Sequence, residues 1–275
     1  MIAIDSAEWG SIVLHRIDIE TVAEITGRPM DDCLHRLQSI RLADLAAEWN
    51  ELGPSSPEEI RGFYASPDDY LWGLLAWNSS SEYAPYLARL ERLAELWPPG
   101  EYPRALDYGS GVGTAALHLA KAGYEVTIAD VPGKTLEWAA SRLRRHGVDF
   151  EVMEITEDVP RIPKAAWDVV ASFDVLEHVF EPEAVTRALV RALRVGGGAA
   201  IVAAFDTVGE EHPHHLADRS RRLQGHRFEM YLQSLGMKVL ENYLYQRLSA
   251  PARLPRLVAY KFWRATGLRV TRLPR

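Results

Sequence analysis

The chain has 275 residues, 47% hydrophobic and 25% charged, which is long enough for a globular core domain with a substantial appendage. A formal net charge of -7 argues against a general nucleic-acid binder, and the single cysteine, Cys33, excludes an intrachain disulfide and suggests no cysteine-based metal site. No stretch is apolar for long enough to span a bilayer, and a start carrying Asp5 and Glu8 lacks the basic opening and apolar run of a signal peptide, so a cytoplasmic location is expected.

The first hundred residues predict helices. Asp18 can cap one that runs to Gly27, and Asp31 or Asp32 a second that continues through Leu37, Ile40, Leu45 and Trp49. Two helices in series could suggest a helix-turn-helix, but the second carries acids (Asp44, Glu48) and few bases, so no DNA contact is expected. Ser56 and Pro57 have the cap and first-position chemistry of a third helix. A run rich in aromatics follows, with Tyr64, Tyr70, Trp72, Trp77, Tyr83 and Tyr86. It covers the edge or top of a sheet domain, or it lids a ligand. An aromatic face attracts a cation by about 0.5–2 kcal/mol, which makes Tyr64, Tyr70 and Trp77 candidate ligand contacts. Residues 82–97 predict one more helix, and Pro98-Pro99-Gly100 marks the boundary between a helical unit, 1–98, and a second domain, 99–275.

Residues 105–130 read as strand, glycine loop, helix, strand and acid: ALDYGSGVGTAALHLAKAGYEVTIAD. Such a loop lets the backbone approach a ligand closely, with the free N–H groups of a helix start pointing at it. The glycines at 109, 111 and 113 fall one position short of the Gly-x-Gly-x-x-Gly spacing of nicotinamide enzymes, with Thr114 in the third place. Asp107 would repel a pyrophosphate but suits an amine, and Asp130 can accept both hydroxyls of a ribose. A ligand with a ribose, a cationic amine and no phosphate fits S-adenosylmethionine better than NAD.

The pattern then continues as a helix from Lys134 to His146 and a strand from Val148 to Met153. Glu154 stands at that strand's end, where it could accept from the adenine amine while Ile155 packs on the ring. Glu157 or Asp158 takes that part if the turn differs. A buried strand over 166–172 leads into Phe173-Asp174-Val175-Leu176-Glu177-His178-Val179. A helix from Pro182 to Leu193, a turn over Arg194–Gly198, and a strand from Ala199 to Phe205 come next. Residues 218–235 predict one helix, Met237–Leu240 a strand, and Leu257–Trp263 the last strand or a short helix.

Asp-x-Gly-x-Gly-x-Gly with the acid at 130, together with DVLEHV over 174–179, resembles the class I S-adenosylmethionine-dependent methyltransferases of small molecules, over roughly residues 103–245. The resemblance implies a seven-stranded Rossmann-like sheet in the order 3-2-1-4-5-7-6 with its last strand antiparallel, under an N-terminal helical cap that lids the cofactor. It implies S-adenosylmethionine held by Asp107, Gly109, Ser110, Gly111, Gly113, Asp130, Val131, Glu154 and Ile155, with Phe173 and Asp174 beside its methionine part. The acceptor would be a small molecule presenting oxygen or nitrogen, with neither nucleic acid nor membrane as partner. His178 is the candidate general base, unless it and Glu177 only hold their loop.

The segment DTVGEEHPHHL over 206–216 holds His212, His214 and His215. Adjacent histidines give poor chelate geometry from one loop, so no metal site is expected there, and His215 or His212 is expected to meet the acceptor. Eight bases and no acids lie between Arg247 and Arg275, which could dock an anion or pack on the acidic body. Two rival readings keep the cofactor. In one, attack falls on another carbon next to sulfur, by alkyl transfer or cyclisation. In the other, the chain is a non-catalytic cofactor-binding subunit.

Overall fold

The computed structural model describes residues 7–9, 12–14, 16–40, 42–65, 68–207, 209–210, 212–249, 257–261 and 265. A short antiparallel pair, β1 (Ala7–Trp9) and β2 (Ile12–Leu14), precedes the helices and had no counterpart in the sequence reading. The cap then runs through α1 (Arg16–Thr26), α2 (Met30–Ser39), α3 (Leu42–Leu52), α4 (Pro57–Ala65), α5 (Asp68–Asn78) and α6 (Ala84–Leu96). The predicted cap of α4 is present: the Ser56 hydroxyl accepts from the Glu59 N–H at 3.2 Å, and the Glu59 carboxylate accepts from the Ser56 N–H at 2.9 Å.

Two expectations in the cap are corrected. The helix expected from Asp31 to Trp49 is two helices, because Ile40 takes extended backbone (φ -60°, ψ 137°) and lies on the wall of a cavity. Asp18 sits inside α1 rather than capping it. Its buried carboxylate pairs with Arg142 at 2.9 Å and lies 3.0 Å from the His146 ring.

The central sheet has seven strands: β3 (Arg104–Tyr108), β4 (Glu125–Asp130), β5 (Phe150–Glu154), β6 (Trp167–Phe173), β7 (Leu193–Val202), β8 (Met237–Glu241) and β9 (Leu244–Arg247). Their spatial order is β5-β4-β3-β6-β7-β9-β8, which in chain order is the expected 3-2-1-4-5-7-6, and β9 runs antiparallel to β7. The linking helices are α7 (Thr114–Ala122), α8 (Lys134–Arg145), α9 (Pro182–Ala192), α10 (Ala217–Ser220) and α11 (Arg227–Ser234).

Strand side chains alternate faces, so each strand feeds two cores. Leu106, Val170 and Ile201 pack with Leu189 of α9 and Leu232 of α11. Ala105, Val169 and Ala171 pack with Leu93 of α6, Leu119 of α7 and Leu143 of α8. A third cluster joins Val22, Leu37 and Trp72 of the cap to Val112 of the glycine loop and Trp138 of α8.

Three further boundaries differ from expectation. The glycines at 196–198 are part of β7 rather than a turn before it. Gly198 is required there, because a Cβ would overlap the Trp97 ring, whose Nε1 donates to the Gly196 carbonyl at 2.8 Å. The helix expected over 218–235 is split into α10 and α11. Gly225 takes φ 59° between them, and its N–H is held by the Asp206 carboxylate at 3.0 Å. The last strand is Leu244–Arg247, hairpinned onto β8 through Tyr243 (φ 64°), and 257–261 are helical, the second of the two alternatives expected there. Among the described residues no helix is long and apolar enough to cross a membrane.

Candidate active site

The carboxyl ends of β3, β4, β5, β6 and β7 and the underside of the cap enclose a cavity of about 650 Å³, within the roughly 300–1,000 Å³ span of small-molecule sites. Its floor is the loop between β3 and α7. Gly109, Gly111 and Gly113 take φ of 70°, 50° and 68°, a region that L side chains avoid, and a Cβ at Gly109 would overlap the Val175 side chain. The N–H groups of Gly109 and Ser110 both donate to the Ala129 carbonyl, at 2.7 and 3.1 Å, which ties the loop to the end of β4.

Two acids lie within this floor. The Asp130 carboxylate accepts from the N–H groups of Gly111 (2.6 Å) and Val131 (2.7 Å), and Asp107 accepts from the Ala116 N–H of α7 at 2.9 Å. Burial pushes the Asp130 carboxyl up to about 6 and that of Asp107 up to about 7. Buried acids in this state favour a ligand that brings positive charge or hydroxyl donors.

The structure puts nearly all of the expected cofactor residues on the cavity wall: the loop, Asp107, Asp130, Val131, Ile155, Phe173 and Asp174, with Tyr64, Tyr70 and Trp77 from the cap. Two fall outside it. Gly113 packs toward Ala139 of α8. Glu154 pairs in register with Asp130 at the end of the edge strand β5, and its side chain is exposed to solvent. The chain turns back at Ile155, whose N–H donates to the Asp130 carbonyl at 2.8 Å. That turn brings Glu157 and Asp158 to the wall in place of Glu154. Asp158 is ion-paired with Arg61 of α4.

The roof is aromatic. Tyr64 and Tyr70 meet edge-on at 5.0 Å between ring centres, and Trp77 packs against Tyr83 and Tyr86. Burial raises both the Tyr64 and Tyr70 phenols well above their ordinary value, so both keep their protons. The buried Tyr64 hydroxyl has no protein partner.

The third wall follows β6. Asp174 takes φ 50°, and its carboxylate accepts from the Tyr86 hydroxyl at 2.7 Å while its other oxygen is buried without a partner. Glu177 accepts from the Ala204 N–H at 2.7 Å, and burial, helped by the Asp174 charge, raises it to about 8. His178 lies 5.7 Å from the Tyr64 ring and faces the His214 carbonyl through Nδ1 at 3.1 Å. His215 also lines the cavity.

Two wall residues were given no such part by the sequence, Tyr86 and Glu177 as a cavity acid, and neither was Arg142, an anchor of the glycine loop. Arg142 donates to the Val112 carbonyl (3.0 Å) and to Thr114 (2.9 Å) while pairing with Asp18, so a cap helix is bolted directly to the glycine loop. The aromatic run contained Tyr86, but nothing in one dimension says which tyrosine reaches Asp174.

Residues 106–201 match the family described as a methyltransferase domain. Over those residues the chain carries a methyltransferase domain. This domain is similar to the ubiquinone biosynthesis O-methyltransferase of Bordetella avium, at 32% identity over 126 residues, covering 44% of this chain and 52% of that protein. The chain thus spans about half the length of the curated relatives it matches. Two solved structures share the fold. The CurJ carbon methyltransferase is 13% identical, with coverage of 84% and 70% and a TM-score of 0.56. Phosphoethanolamine N-methyltransferase 2 of Haemonchus contortus, in complex with S-adenosyl-L-methionine, is 19% identical, with coverage of 69% and 46% and a TM-score of 0.51. The methyltransferase cavity also suits such a cofactor chemically. It has a glycine cradle that a side chain would fill, buried acids for an ammonium and a ribose, and an unpartnered buried Ser110 hydroxyl in the floor.

Proposed function

We propose that the chain transfers a methyl group from S-adenosylmethionine to an oxygen of a small molecule enclosed beneath the helical cap of residues 1–98. The observation that carries this reading is one cavity lined by two chemically different sets of groups. The glycine loop and Asp130 form one set, and Asp174, Glu177, His178 and His215 the other. Oxygen is favoured over nitrogen by the name of the relatives, ubiquinone biosynthesis O-methyltransferase.

In this reading Asp130 receives the ribose hydroxyls, since each carboxylate oxygen keeps a second lone pair after its backbone bond. Ile155 packs on the adenine, and Glu157 is the acid placed to accept from its amine. The loop receives the amino-acid end, and Tyr64 and Tyr70 close over the sulfonium. The bound cofactor supplies a methyl group made electrophilic by positive sulfur.

The chain's own contribution is alignment and exclusion of water, which together account for most of the rate of such a displacement. His178 and His215 form the acceptor wall as neutral imidazoles, because burial lowers the pKa of each. Their free lone pairs are available for an acceptor proton. Separate polar groups at the acceptor end favour methyl transfer over cyclisation, which needs no second substrate.

The test is calorimetry with S-adenosylmethionine, followed by incubation with phenol, alcohol and amine acceptors and identification of the sulfur-containing product. S-adenosylhomocysteine is expected. Methylthioadenosine would replace this reading with alkyl transfer or cyclisation, and binding without turnover of any acceptor would leave a cofactor-binding subunit.

A further inference from the structure

Three histidines from two separate loops converge at the acceptor end. His178 ends the single turn Leu176–His178 after β6, and His214 and His215 lie in the loop after β7. Their ring centres form a nearly equilateral triangle: 4.7 Å from His178 to His215, 5.0 Å from His214 to His215 and 5.1 Å from His178 to His214. In a tetrahedral site with bonds of about 2.0–2.1 Å, each ring centre stands roughly 3.2 Å from the ion and neighbouring centres roughly 5.2 Å apart. The observed spacing therefore has room for three imidazoles around one ion, with the His212 ring also 4.9 Å from His215. One ligand nitrogen from each residue lies within 4.8 Å of the others, and ring rotations moving each by about 1 Å bring them to the roughly 3.3 Å separation of a tetrahedral set.

The surroundings of the rings point the same way. The Nδ1 of His178 faces the His214 carbonyl at 3.1 Å, and the Nδ1 of His215 faces the Thr207 carbonyl at 2.6 Å. A backbone carbonyl on one nitrogen holds the proton there and leaves the lone pair on the other, as in many metal-bound histidines. Among the described residues the buried Nδ1 of His214 has no hydrogen-bond partner. An unpaired buried nitrogen is costly, and a bound ligand accounts for it.

We propose that His178, His214 and His215 bind one divalent transition-metal ion through three imidazole nitrogens at the acceptor end of the cavity. The objection that His214 and His215 are adjacent falls away, because the third ligand arrives from another loop. An imidazole binds metal through the lone pair of its neutral ring, and the carbonyls facing Nδ1 of His178 and His215 leave that lone pair on Nε2. Three neutral nitrogens select zinc, cobalt, nickel or ferrous ions over magnesium, which takes oxygen ligands. Occupancy of the site is independent of methyl transfer. Its role rests on that reading: an ion here fixes a hydroxyl acceptor and acidifies it, the proton passing to solvent, and His178 then serves as a ligand rather than as the base.

The test uses the full chain without a histidine tag, stripped by a chelator and titrated with Co²⁺ alone. One Co²⁺ per chain is expected, with the intense visible bands of a four-coordinate ion, displaced by Zn²⁺ but not by excess Mg²⁺. His214→Ala and His215→Ala should each weaken binding by about tenfold or more, and His35→Ala, on the exposed face of α2, should leave it unchanged. Absence of the bands, their survival in both variants, or displacement by Mg²⁺ overturns the site. Should the variants misfold, X-ray absorption of the wild-type cobalt complex decides: imidazole scattering from three nitrogens supports the site, and oxygen-only coordination overturns it. A chain that binds Co²⁺ but makes no S-adenosylhomocysteine loses the methyl-transfer reading and keeps the metal. A chain that turns over without binding Co²⁺ loses the metal and keeps methyl transfer.

Discussion

The floor and the far wall of the cavity are built by opposite means. The floor lies within residues 105–131, and its polar work is done by backbone N–H groups and two acids that close over a short length of chain. The far wall is assembled from distant segments: Tyr86 and Asp174 meet across 88 positions, and His178 reaches the His214 carbonyl from another loop. The floor depends on geometry that only glycine permits. The far wall depends on buried polar side chains, several of which keep one atom without a hydrogen-bond partner among the described residues. In the proposed function the locally built part holds the ribose and amino-acid end of the cofactor, and the part that tertiary packing assembles meets the acceptor.

The largest expected effect comes from separating the two regions. Arg142→Ala would remove the guanidinium from the buried Asp18 and release the loop contacts to Val112 and Thr114. A loss of about 3–5 kcal/mol is expected in urea unfolding, and a loss under 1 kcal/mol would show that the cap is not anchored there.

Next is the pH response of the far wall. Glu177 has its folded pKa raised from 4.5 to about 8. A raised acid contributes full stability below its unfolded value and loses it as pH climbs through the folded one. Wild-type stability should therefore fall between about pH 4.5 and 8. Glu177→Gln, which keeps an acceptor for the Ala204 N–H, should flatten that decline and stabilise the protein at pH 8 by an amount on the order of a few kcal/mol. Parallel thermal melts of the two proteins from pH 5 to 9 check this, and superimposable pH profiles would contradict it.

On the floor, Asp130→Ala should weaken S-adenosylmethionine binding about 10–100-fold by calorimetry, the loss of charge-assisted hydrogen bonds worth about 1.5–3 kcal/mol. A change within about twofold would remove Asp130 from the ribose. The smallest effect is expected of Tyr86→Phe, which deletes the 2.7 Å bond to Asp174. It should cost about 1 kcal/mol, seen as slower turnover with cofactor affinity nearly unchanged. Equal losses in both would mean that Asp174 belongs to the floor.

The individual strands and the glycine loop were legible because their signals are local, whereas the strand order came from the resemblance to class I methyltransferases. Alternation, glycine stops and an acid at a strand end depend on neighbours in the chain. The errors were of a different kind. The break at Ile40, the split between α10 and α11, and the early hairpin through Tyr243 each follow from a contact made elsewhere: a cavity wall, the Asp206 carboxylate and the pairing of β9 with β7. Glu154 failed for a similar reason. Both β4 and β5 end in an acid, but the turn at Ile155 carries the next acids, and not Glu154, to the cavity.

The sequence by itself determined the sheet, the cradle at 107–113 and Asp130, because backbone conformation and short-range hydrogen bonding specify them. Tertiary structure alone decided that Arg142 bolts the cap to that cradle, and that three histidines from two loops share one end of the cavity. Those meetings depend on how helices pack over a sheet, and packing brings together residues whose separation along the chain carries no sign of it.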